Sequence, residues 1–141
     1  MNFRQKLGAL VVATVTLAPL LLVLDAVAGS ATIDIRTSAS IVDFHQDVTV
    51  SGEVTGDPTC VGRQILLQWR PAQSVSFATV AAGITAADGA FSFAQSMEHT
   101  GAYRVQLPAV GGCVEATSGE APVGVRALVD ATLVVGSNVA G

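Results

Sequence analysis

After residue 6 this chain has no lysine, and its 141 residues include only two cysteines, one tryptophan, one tyrosine and two histidines. Each scarcity excludes something. Taking Arg4, Lys6 and Asp25, which lie in the first 28 residues, from totals of seven basic and eleven acidic residues leaves five arginines against ten carboxylates, or −5 with His neutral. Such a surface has no basic footprint for nucleic acid. It also argues against electrostatic docking on anionic lipid.

The groupings that carry chemistry are missing too. There is no G-x-S-x-G turn to raise a serine nucleophile. His45 and His99 have no metal-ligand spacing to Cys60 or Cys113, so no zinc site is expected. Asp88 lacks the further carboxylates of an EF-hand-like calcium loop. Gly111-Gly112 precedes Cys113 rather than a helix, so it is no phosphate loop. Ten acids do not by themselves make a glycosidase pair without a cleft to desolvate one of them. Leu107-Pro108-Ala109-Val110-Gly111 has Val110 where a cell-wall sorting signal has its scissile Thr, and it reads as the end of a strand. Asn2 and Asn138 lie outside any glycosylation sequon. The expectation is a non-enzyme with no cofactor and no metal.

The first 28 residues read as a signal peptide. Arg4 and Lys6 make a positive start, Leu7 to Leu24 is apolar apart from Thr14, Thr16 and Pro19, and Ala26-Val27-Ala28 offers small residues for cleavage. Cleavage is expected after Ala28, with Ser30-Ala31 as the alternative. No Cys follows to carry a lipid. An uncleaved anchor competes, because eighteen residues can just span a bilayer, but Pro19 and the A-x-A site oppose it. The leader raises the mean hydropathy of the whole chain above that of the rest. The expected location is secreted or cell-surface, with no membrane association after cleavage. In an oxidising compartment an even pair of cysteines implies a Cys60–Cys113 disulfide, and both thiols are then unavailable as nucleophiles.

Beyond the leader, short alternating segments recur between Gly, Pro, Asp and Ser. Ile33 and Ile35 mark the first strand, and Val48, Val50 and Val54 the second. Ile65, Leu67 and Trp69 mark the third, which Pro71 closes because proline cannot donate to a ladder. Phe77, Val80 and Ile84 give a less regular fourth, Phe91 and Phe93 a fifth, Tyr103, Val105 and Leu107 a sixth, and Val123, Val125 and Ala127 a seventh. No segment has a helical period. The expected fold is all-β, a seven-stranded immunoglobulin-like antiparallel β-sandwich over residues 29–129 that buries Trp69, Phe91 and Phe93 between its sheets. Residues 130–141 are a tail or the start of a linker or next repeat. Asp88-Gly89 suits a type I′ hairpin between the fourth and fifth strands. Tyr103 matches a tyrosine corner, its hydroxyl tied to backbone just upstream.

The strings V-T-V-S-G-E-V (48–54), G-R-Q-I-L-L-Q-W-R-P (62–71), F-A-T-V (77–80), A-D-G-A-F-S-F (87–93) and T-G-A-Y-R-V (100–105) resemble the Ig-like repeats of secreted and cell-surface bacterial proteins. The resemblance covers about residues 32–128. It implies spacers or adhesive stalks, sometimes attached to exported enzymes. One departure is Phe44-His45-Gln46, where similar repeats carry a Gly; His tolerates positive φ better than a β-branched residue.

In such a sandwich the loop Thr55–Gly62, with Cys60, and the loop Pro108–Gly119, with Cys113, project from the same end. A pinned binding loop would contact a ligand through Asp57, Glu115, Thr117 and Ser118. The plainer alternative is a staple for a small core. The expected function is an exported, non-enzymatic module with a structural or adhesive role. The alternatives are a carbohydrate- or protein-binding module using these loops, or an accessory subunit of an exported enzyme. Scarce aromatics, mostly assigned to the core, disfavour a sugar-stacking platform.

Overall fold

The computed structural model describes residues 28–129, so residues 1–27 of the expected leader and the 130–141 segment lie outside the described residues. The chain folds as an all-β sandwich of two sheets. Strands Ala31–Thr37 (β1), Asp47–Gly56 (β3) and Ala90–Ser96 (β6) form one sheet in the order β1-β3-β6. The other follows the path β2-β9-β7-β4-β5, with β2 at Ile41–Asp43, β4 at Gln64–Pro71, β5 at Ala78–Ile84, β7 at Gly101–Leu107 and β9 at Ala121–Arg126. A two-residue strand, Ala116–Thr117 (β8), pairs with the end of β7.

Period-two alternation builds the core. Val48, Val50 and Val54 of β3, Ile65 and Leu67 of β4, and Tyr103, Val105 and Leu107 of β7 are buried between the sheets. All seven expected strands are present. Two short ones, β2 and β8, are additional, and β2 runs parallel to β9 rather than antiparallel.

Other expectations are corrected. Trp69 is only half-buried; it packs on the rim of the core with its ring 4.5 Å from that of Tyr103. Phe93 is likewise half-buried, whereas Phe91 is buried. The Tyr103 hydroxyl donates to the Met97 sulfur at 3.1 Å, not to backbone. Asp88-Gly89 does not make a hairpin, because β5 and β6 belong to different sheets. Only Gly89 there has positive φ, at 87°. The Gly89 amide donates to the Ala86 carbonyl and Asp88 Oδ1 accepts from the Ala90 amide, so the turn carries the chain from one sheet to the other. His45 holds a φ of 63°, the strained turn that the sequence anticipates.

Candidate functional site

The loops that carry the cysteines do meet at one end of the sandwich. Pro58–Cys60 forms a 3₁₀ turn with Asp57 as its cap. Cys60 is bonded to Cys113, with Cα atoms 5.2 Å apart. Gly111 and Gly112, with φ of 54° and 85°, make the tight turn that folds Val110 back on Cys113. Positive φ at both central residues is what a type I′ turn requires, so this geometry occurs here and not at Asp88-Gly89. Gly29 completes the end. Its amide donates to the Gly112 carbonyl at 2.7 Å, and its carbonyl accepts from Val114 at 2.8 Å.

Two of the four candidate side chains at this end are occupied by the fold. Asp57 Oδ1 accepts from the Thr59 hydroxyl at 2.6 Å and the Thr59 amide at 2.8 Å. Those two bonds, the hydroxyl first, hold its carboxyl below the usual range. Ser118 Oγ accepts from the Val105 amide and donates to the Gly119 carbonyl, each at 2.8 Å. Both residues shape loops.

Glu115 and Thr117 belong to a different surface, the outer face of the larger sheet. Pleating places Gln68 and Arg70 of β4 and Arg104 and Gln106 of β7 opposite the inward-facing Leu67, Trp69, Tyr103 and Val105. A chain of hydrogen bonds crosses this face. Arg104 Nε donates to Gln68 Oε1 at 2.7 Å, Gln68 Nε2 to Gln106 Oε1 at 3.0 Å, and Gln106 Nε2 to Glu115 Oε1 at 2.8 Å. Thr117 sits across from Gln106 in register. Beside the chain, Phe77 lies beneath two guanidinium groups. Arg104 Cζ is 4.0 Å and Arg70 Cζ 5.2 Å from the ring centroid. Arg70 also binds Glu120 at 2.7 Å.

Nothing in the linear sequence marks this cluster, because Gln68, Phe77, Arg104 and Glu115 are far apart in it. The usable signal is limited: outward positions on two adjacent strands carry Gln and Arg rather than Thr and Ser.

The other concave features lie at the far end of the sandwich. A groove of about 630 Å³ is lined by Phe44, Pro71, Gln73, Glu98, His99 and Val125, among others. A smaller one of about 190 Å³ includes Trp69, Met97 and Tyr103. Glu98 lines both grooves, and its Oε1 stands 3.7 Å from Nδ1 of the exposed His45. The cysteine loops thus point away from both grooves.

No family model matches the chain, and no curated protein matches it. Among solved structures, the chain is similar to the sulfur carrier protein SoxY from Chlorobium limicola f thiosulfatophilum. Identity is 19%, coverage is 70% of this chain and 79% of that one, and the TM-score is 0.40. A likeness at that level carries no argument about this chain.

Proposed function

We propose that this chain is an exported, non-enzymatic Ig-like module with a structural or adhesive role at the cell surface or outside the cell. The observation that carries this reading is the Cys60–Cys113 bond between loops 53 residues apart in sequence. A protein disulfide fits an oxidising compartment and is rare where thiols are kept reduced. The position of Gly29 supports cleavage after Ala28. Processing at the alternative site further along would remove the Gly29 pairings with Gly112 and Val114 and the Ser30 carbonyl that accepts from Asp57.

The test is export with the leader intact in a secreting bacterial host. The product should begin at or within a few residues of Gly29 by intact mass and contain no titratable thiol. Disrupting the gene in its native host should alter surface attachment or envelope integrity without abolishing a chemical conversion. Two free thiols would overturn the exported reading, and a leader retained in the membrane fraction would favour the uncleaved anchor over cleavage.

A second reading, a ligand-binding module, is favoured by the outer face of the larger sheet. Aromatic scarcity weighs less against it than the sequence implies, because Phe77 stands on that face rather than in the core.

A further inference from the structure

We propose that the outer face of the larger sheet binds a hydroxyl-rich oligosaccharide carrying an isolated carboxylate, with Arg104 as the group that takes the carboxylate. The inference deepens the adhesive reading above and rests on it for its biological setting, but its test needs only the purified protein.

Arg104 is a half-buried cation in an acidic chain, and no carboxylate among the described residues pairs with it. It is nevertheless held in place. Phe77 stacks under its guanidinium at 4.0 Å, and Gln68 accepts from its Nε at 2.7 Å. Among the described residues its terminal nitrogens have no hydrogen-bond acceptor. A planar fork fixed by stacking and by one bond already made loses little freedom on binding. Its remaining N–H groups match two oxygens of a carboxylate. Arg70 differs: its terminal nitrogens are taken by Glu120 and by the Ser74 carbonyl.

The surroundings select the rest of the ligand. Gln68 and Gln106 present amides that donate and accept. Thr79 and Thr117 lie across from them in register, adding hydroxyls along the same face. Neutral sugar hydroxyls, which both donate and accept, suit such a row. A peptide partner would want an apolar anchor in a pocket. Neither of the two grooves described above is lined by a residue of this cluster. Glu115 and Glu120 bracket the site and repel a polyanion, so one carboxylate among neutral sugars fits and a continuous polyuronate does not.

The experiment titrates purified disulfide-bonded protein, by calorimetry and by amide and Arg Nε NMR shifts. The probes are an oligosaccharide with one glucuronic acid among neutral hexoses, its carboxyl-reduced counterpart, a polygalacturonate and a Glu-rich peptide. The mono-uronate probe should bind and shift the Arg104 Nε resonance. Carboxyl reduction or Arg104→Gln should weaken it by about tenfold or more, the scale of a charge-assisted hydrogen-bonded pair. Arg104→Lys should also weaken it, because a point charge lacks the fork. Arg36→Gln, on the other sheet, should leave it unchanged. Melting curves confirm that each variant is folded, and the Arg Nε shift reads the site in the unmodified protein if a variant is not. Absence of binding, binding indifferent to Arg104, or equal binding of the reduced probe would overturn the site. Tighter binding of the Glu-rich peptide would overturn the glycan assignment in favour of an acidic protein. Neither result alters the thiol and N-terminus tests of export.

Discussion

At the scale of single residues, unusual backbone and half-burial decide what substitutions do. His45 is the single non-glycine with positive φ among the described residues, and its amide donates to the Met97 carbonyl at 2.8 Å. A β-branched side chain is strained there. His45→Val should cost about 1–2 kcal/mol, whereas His45→Gly should be tolerated, as urea melts of both variants would show. Trp69 sits on the rim of the core, so Trp69→Ala should cost less than the roughly 3–5 kcal/mol of a fully buried aromatic, and iodide should quench its fluorescence partially. Tyr103 is the only tyrosine of the chain, and burial pushes its phenol up to about 12. The sign follows from the shift. The unfolded phenol ionises near its ordinary value of about 10, so the stability linked to Tyr103 is intact below that pH. It is lost as the pH rises toward 12. Ultraviolet titration should show phenolate appearing late in the folded protein and together with alkaline unfolding.

At the scale of elements, the link between β5 and β6 is the instructive one. Asp-Gly between two apolar runs is a strong hairpin signal, yet it spans the gap between sheets here. Gly89 is needed for two reasons: its φ of 87° and the closeness of the Val54 carbonyl, which a Cβ would strike. Gly89→Ala should therefore destabilise the fold by about 1–3 kcal/mol, more than a loss of flexibility alone. Thermal unfolding with an unchanged circular dichroism spectrum would verify it. The strands β2 and β8 are illegible in sequence because three and two residues are too short to show a period. They nonetheless matter to the candidate site, since β8 brings Thr117 beside Gln106.

At the scale of the whole molecule, the disulfide is a covalent constraint buried within the core cluster. It closes a loop of 54 residues counting both ends, from a separation of 53. Chain entropy of the unfolded state makes that worth about 4 kcal/mol, within the roughly 2–5 kcal/mol that loss of a native bridge costs a small secreted domain. A domain of this size holds about 5–15 kcal/mol in total. Reduction should lower the melting temperature markedly while strand content at room temperature persists, because Val48, Val50, Ile65, Leu67 and Val105 still pack between the sheets and two buried thiols remain compatible with an apolar core. Calorimetry with and without reductant measures it. Loss of all β-signal on reduction would show the core to be insufficient alone.

The sequence by itself determined the all-β class, the seven main strands and the pairing of the two cysteines. It also carried the strained turn at His45. These rest on local pattern: alternation of period two, breakers between runs, and a cysteine count of two. Tertiary structure alone decided which strands share a sheet. It thereby changed Asp88-Gly89 from a hairpin to a crossing and moved the type I′ geometry to Gly111-Gly112. It also divided the four residues expected at the pinned loops, committing Asp57 and Ser118 to loop geometry and placing Glu115 and Thr117 on the face that holds Arg104. The physical reason is that alternation states which side chains point the same way along one strand. It says nothing of which strands become neighbours, and the Arg104, Gln68, Gln106 and Glu115 chain exists only across neighbours.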